Sequence, residues 1–213
     1  MKLKLLLILS LQNMTSDIPL RFAEAKYEDV PVEIEEKFSQ IRKTRKGLYI
    51  YGAVGTGKTH TAYALYRQWE EERKIEIQKE RDEISQKLSD GTNAISLEVI
   101  KPRPVAEFWN MTRLLYEFRK EMQKSSDKSL SDNLILYKNL LFIDDLGAEK
   151  VTEWVEEVVY LIINTRYENN IPIVITSNYP LSGIAEKVGE RVASRIREMC
   201  DVVRLGGEDR RLR

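Results

Sequence analysis

Apolar positions in this chain fall into short solid runs separated by longer amphipathic stretches. Gly47-Leu48-Tyr49-Ile50-Tyr51 is β-rich and ends at a glycine loop, which predicts a strand buried on both faces. After the loop Gly52–Thr59, the residues Ala62, Leu65, Tyr66 and Trp69 share one helical face. That helix is expected to run on through Glu70–Lys74 and Lys79–Glu83 until Asp90-Gly91 stops it. The charged part reads as a solvated helical projection, or as a partner-binding arm using Ile77, Ile84 and Leu88. Pro102 and Pro104 mark a loop, and Val105–Asn110 is a second strand. Met111–Gln123 has helical period with Leu114, Leu115 and Phe118 apolar, and Ser125–Ser129 is a polar connection. Leu140–Ile143 is a third, wholly apolar strand. Thr152 can cap the next helix, whose buried stripe is Val155, Val158, Val159, Ile162 and Ile163. Ile171–Thr176 is a fourth strand, Glu186–Met199 a helix and Asp201–Leu205 a short last strand. Apolar strands alternating with helices predict a three-layer α/β/α domain around a mainly parallel sheet.

Composition narrows the chemistry. The 213 residues carry 34 basic and 34 acidic side chains, with 42% hydrophobic residues, enough for a packed core. Zero net charge excludes a globally basic nucleic-acid coat, though not a local basic patch. Cys200 is the single cysteine and His60 the single histidine. Together they exclude an internal disulfide, a cysteine-rich zinc site and a His-pair metal site. Met1–Leu11 begins like a signal peptide, but its apolar run is short, no small-x-small cleavage site follows, and it falls far below a membrane span. It reads as a helix packing on the domain, an amphiphilic partner-binding arm, or translated leader upstream of Met14. The expected organisation is an arm or leader over 1–18 and one domain over 19–213, with the charged helical extension around 70–90.

Gly52-Ala53-Val54-Gly55-Thr56-Gly57-Lys58-Thr59 matches G-x-x-x-x-G-K-[ST] in full, between a strand and a helix. Glycines let the backbone wrap a phosphate and present successive N–H groups to it, and the helix N-terminus adds its positive dipole end. Lys58 is placed to bridge the β- and γ-phosphates of ATP, and the Thr59 hydroxyl to ligate Mg²⁺. His60, next in line, is counted with this nucleotide-binding run, in the first helical turn without catalytic work.

Leu140-Leu141-Phe142-Ile143-Asp144-Asp145 supplies the second half. The buried strand carries Asp144 to the metal, and Asp145 sits where a carboxylate can orient and deprotonate the attacking water. Glu149 is the rival base, or a structural acid at the helix start. Thr176-Ser177-Asn178 closes the fourth strand, and Asn178 suits either a hydrogen bond to the γ-phosphate or attacking water, or an Asx turn before Pro180.

These motifs resemble the AAA+ ATPases of the DnaC/DnaI helicase-loader group, within the wider IstB-like family. The resemblance spans Pro19 to Arg213. It is most specific in Gly55–His60, in Ile143–Lys150 with Thr152-Glu153-Trp154, and in Asn164–Tyr167 through Ile175–Asn178. The run Gly189-Glu190-Arg191-Val192-Ala193-Ser194-Arg195-Ile196 completes it. The resemblance implies a P-loop NTPase core with sheet order 5-1-4-3-2, Asn178 as sensor I, Arg195 as an arginine finger acting on a neighbour's nucleotide, and Arg191 as a basic helper. It also implies an ATP-dependent homo-oligomer, a replicative helicase and single-stranded DNA as partners, a cytoplasmic place and no membrane. Arg113, Arg119, Lys120 and Lys124, with Tyr116 and Trp154 for stacking, are candidate DNA contacts; surface charge and helix packing explain the same residues.

The chain departs from the group in three ways. Little follows Asn178, so the helical lid is expected to be largely absent. The N-terminal helicase-binding region is expected to be nearly absent, with Met1–Leu11 as a minimal version of that arm, and the given sequence carries no zinc-binding cluster. The charged stretch from Glu70 to Asp90 is long. The expected activity is ATP hydrolysis controlling assembly on helicase and single-stranded DNA. The alternatives are a transposition helper of the IstB type and a nucleotide-gated binding module with little hydrolysis.

Overall fold

Strand residues in this chain alternate between two buried surfaces, and that alternation sets the layers. The structure, a computed structural model, describes residues 18–89, 106–122 and 140–209. Its strands are β1 (Gly47–Tyr51), β2 (Glu107–Asn110), β3 (Leu141–Leu146), β4 (Ile173–Ser177) and β5 (Cys200–Arg204). Its helices are α1 (Val32–Ser39), α2 (Ile41–Thr44), α3 (Lys58–Ser89), α4 (Met111–Met122), α5 (Glu153–Glu168), α6 (Leu181–Val188) and α7 (Glu190–Met199). The strands pair in parallel in the order β2-β3-β4-β1-β5, the order expected. Tyr49, Leu141, Ile143, Ile173 and Ile175 face α4, α5, α6 and α7. Leu48, Ile50, Phe142, Val174 and Val203 face α1, α2 and α3. Both faces are covered, as the solid apolar runs require.

Several elements differ from the sequence reading. The helix expected over Glu186–Met199 is two helices, broken at Gly189, whose φ of 94° ends α6 and starts α7. Strand β3 runs on past Ile143 to Leu146, with a shift in its pairing to β4 between those residues. The short helices α1 and α2 bury Ile34, Phe38 and Ile41 before β1. Helix α3 does run unbroken to Ser89, as the sequence predicts. Its inner part is pinned by Glu70, which is buried and accepts from the Ala106 N–H at 3.2 Å and from Arg73 at 3.1 Å. Met1–Leu11 and Lys124 lie outside the described residues. Among the described residues no helix is long and apolar enough to cross a membrane.

Candidate nucleotide site

The tips of β1, β3 and β4 meet at one end of the sheet, because parallel neighbours bring their C-terminal ends together. The loop after β1 holds close against the chain that follows β5. The Gly52 N–H donates to the Ser177 carbonyl at 3.2 Å, and the Leu205 N–H to the Tyr51 carbonyl at 2.7 Å. A Cβ at Gly52 would collide with the Leu205 carbonyl oxygen. Gly55 has φ 82°, and a Cβ there would strike the Asp209 carboxylate. Backbone approach and left-handed geometry thus require glycine at both positions. Ala53 and Val54 are exposed on the outside of the loop, Thr56 is buried, and His60 is partly buried in the first turn of α3. The Lys58 side chain is 5% exposed and curls back over the loop. Its ammonium donates to the carbonyls of Gly52 at 3.0 Å and Ala53 at 2.8 Å.

A line of hydroxyl and carboxylate groups joins this loop to β3 and β4. Thr59 Oγ1 donates to Asp144 Oδ2 at 3.1 Å. Thr176 Oγ1 donates to Asp144 Oδ1 at 2.6 Å and accepts from the Asp145 N–H at 3.0 Å. Asp144 is 4% exposed, and burial raises its carboxyl from 3.8 to about 6. The hydrogen bonds from Thr176 and Thr59 and the charge of Lys58 act against that rise, while Asp145 adds to it. A buried carboxylate so short of positive charge is a seat for a cation. Among the described residues no cluster of three His, Cys, Asp or Glu side chains could hold a metal alone. One hydroxyl and one carboxylate do suit Mg²⁺ that also takes phosphate oxygens and waters. The site therefore fits Mg·ATP, with Lys58 and the loop amides for phosphate and Thr59 and Asp144 for the metal.

Asp145 sits in the left-handed region at φ 61°, inside the irregular stretch of β3. Aspartate tolerates that region better than most residues, and such strain collects at functional sites. Glu149 turns back into its own loop, where one oxygen accepts from the Gly147 N–H at 3.2 Å. Its other oxygen is buried without a partner among the described residues, and burial raises its carboxyl. The turn after β4 belongs to Ser177 rather than to an Asx turn at Asn178. Ser177 Oγ donates to the Leu146 carbonyl at 2.7 Å and accepts from the Tyr179 N–H at 3.1 Å. Asn178 is partly buried at the strand tip, with no side-chain hydrogen bond among the described residues.

Thr176 is the residue that sequence reasoning missed. Its only signal is a polar side chain at the end of Ile173-Val174-Ile175. Thr176→Val keeps the shape and removes the hydroxyl, leaving Asp144 Oδ1 and the Asp145 N–H without their buried partner. The expected cost is about 1–3 kcal/mol, read as a lower melting temperature together with weaker Mg²⁺-dependent nucleotide binding. An unchanged melting temperature would mean that water replaces the hydroxyl.

Two further predicted groups lie on the helices α7 and α4. On α7, Arg191 is exposed and Arg195 packs against α5. On α4, Arg113, Tyr116, Arg119 and Lys120 are exposed, Tyr116 by 64%. Trp154, the other stacking candidate, is partly covered: Arg119 lies over its ring at 4.6 Å.

No protein-family model matches the chain. In sequence it is homologous to the replicative helicase loader DnaI of Bacillus subtilis (strain 168), at 28% identity over 182 residues. The aligned part is 78% of this chain and 48% of that protein, so the chain spans about half the length of that relative. In fold it matches the crystal structure of the DnaC helicase loader, with a TM-score of 0.61 at 24% identity, over 88% of this chain and 99% of that one. It also matches AMPPCP-bound DnaA from Aquifex aeolicus, with a TM-score of 0.59 at 16% identity, over 89% of this chain and 52% of that one. The five-stranded parallel sheet with helices on both sides is thus the AAA+ fold of DnaC and DnaA.

Proposed function

We propose that this chain is an ATP-dependent loader of a replicative helicase, which binds and hydrolyses Mg·ATP to control assembly on the helicase and on single-stranded DNA. The observation that carries the ATPase part is the continuous line Thr59–Asp144–Thr176, which ties the phosphate loop to the tips of β3 and β4. Homology to DnaI supports the helicase as partner. In this reading residues 19–213 are one ATPase unit working in the cytoplasm, the charged part of α3 is an extension of it, and 1–18 is an arm or leader.

Bound Mg²⁺ would supply charge neutralisation to the phosphates, held through Thr59 and Asp144. Lys58 releases the Gly52 and Ala53 carbonyls and turns its ammonium to the β- and γ-phosphates. Thr176 fixes the orientation of Asp144 and the backbone of Asp145. Asp145 orients the attacking water and accepts its proton, and Asn178 binds the same water or the γ-phosphate. Arg195 of one copy reaches the γ-phosphate on the next, with Arg191 beside it, and stabilises the charge that spreads during transfer. Single-stranded DNA lies along α4, where Arg113, Arg119 and Lys120 meet backbone phosphates and Tyr116 stacks on a base.

Size-exclusion chromatography with light scattering tests the assembly step, with ADP or a non-hydrolysable ATP analogue, each with and without a single-stranded oligonucleotide. A large species is expected only with the analogue, and more of it with DNA. A monomer under all four conditions would overturn ATP-driven self-assembly. Co-purification with a transposase instead of a helicase would overturn the loader role.

A further inference from the structure

Two tyrosines on α5 have no part in the nucleotide site. Tyr160 and Tyr167 stand two helical turns apart and so share one face of α5. Arg195 of α7 lies against that face. Its guanidinium carbon is 5.0 Å from the Tyr160 ring centre and 5.6 Å from that of Tyr167. Nη2 donates to the Tyr160 hydroxyl at 3.3 Å, and Nη1 donates to the Arg191 carbonyl at 3.2 Å. The Glu198 carboxylate, one turn beyond Arg195 on α7, acts on the Tyr167 hydroxyl and raises its phenol.

Among the described residues no carboxylate lies within ion-pair distance of Arg195. Its Nε is buried and has no hydrogen-bond partner there either. An arginine that only joins two helices gains most by ending on a carboxylate, in a bidentate pair. Here ring faces attract the cation without neutralising it, and the acceptors are neutral oxygens. The side chain is therefore held in place without an ion pair among the described residues, which leaves it able to take an anion brought from outside the chain.

We infer that Tyr160 positions Arg195: its hydroxyl and ring aim the guanidinium at the phosphates of a nucleotide bound by a second copy of this chain. The inference rests on the reading of Arg195 as a group that acts on a neighbour, and adds the residue that directs it.

Mixed assemblies of the full chain test it. A subunit with Lys58→Ala lacks nucleotide and only donates its arginine; a subunit with Arg195→Ala holds nucleotide and only receives. Mixed one to one, they are expected to recover hydrolysis that neither has alone. On the donor, Tyr160→Phe lowers kcat about threefold to tenfold, the loss of one hydrogen bond. On the donor, Tyr160→Leu lowers it by more than about tenfold, since the ring face goes too, and KM stays put. The loss is confined to mixtures whose donor carries the change. Equal loss on donor and receiver would make Tyr160 mere helix packing and overturn the inference, leaving Arg195 its role. Full activity with Tyr160→Leu on the donor would overturn it as well. Failure of the parent mixture to recover would overturn the reading of Arg195, and the inference with it. Tyr160→Phe keeps the ring packed, so a fold defect, seen as a lower melting temperature, is separable from lost aim.

Discussion

Lys58→Ala is expected to abolish nucleotide binding while leaving the fold intact. The ammonium sits 5% exposed above its own loop, satisfied by two backbone carbonyls. With nucleotide present, it exchanges those neutral acceptors for phosphate oxygens. Charge-assisted hydrogen bonds contribute about 1.5–3 kcal/mol each. Two of them amount to about 3–6 kcal/mol, or roughly a hundredfold to ten-thousandfold in affinity. Truncation also removes a cation from a site that must gather three or four negative charges. Titration of a fluorescent ATP analogue would measure the loss, and thermal melting without nucleotide would show the fold unharmed. An affinity within about threefold of the unmodified chain would mean that phosphate is held elsewhere.

Arg195→Ala is expected to separate binding from turnover. Arg195 packs on α5, and none of its contacts reaches the Thr59–Asp144–Thr176 line of its own chain. The dissociation constant for ATP should therefore stay the same. The rate per subunit should fall by as much as about a thousandfold, the lower range for arginines that act on a neighbour's phosphoryl group. The rise of specific activity with protein concentration should vanish too. Steady-state hydrolysis over a range of protein concentrations, beside a nucleotide titration, would read both. Equal loss of binding in Lys58→Ala and Arg195→Ala would defeat the assignment, because it would place both side chains at one nucleotide.

What was legible in the sequence divides along local lines. The glycine loop between β1 and α3 is legible because its whole pattern, Gly52 to Thr59, lies within eight consecutive residues. Strands β1, β3 and β4 were readable because burial on both faces leaves no polar alternation. The break at Gly189 was not readable from hydrophobic period. Ile184, Val188, Val192 and Ile196 follow one another at four-residue steps straight across it, so the apolar stripe looks continuous. Helices α1 and α2 leave no clear pattern because Ile34, Phe38 and Ile41 are thinly spread among charges. Thr176 and the tyrosines beside Arg195 failed for another reason. Each meets its partner across elements distant in the chain, where no spacing rule applies. Asn178 is legible as a polar residue at the tip of β4, while the contact with Asp144 is made by the hydroxyl two residues earlier.

The sheet order has a consequence for how the protein is made. Strand β1 delivers the phosphate loop, yet its neighbours on both sides come from the far end of the chain. Leu48 aligns with Val174 and Gly47 with Cys200. A growing chain therefore exposes every residue of its glycine loop long before either flanking strand leaves the ribosome. Pairing over such separations costs loop-closure entropy and slows folding. Until β4 and β5 arrive, the Gly52 N–H lacks the Ser177 carbonyl and Tyr51 lacks the Leu205 N–H that anchors the loop's root. Nascent chains thus carry the glycine-loop signature without the folded site, and on the proposed reading capture of nucleotide coincides with completion of the sheet.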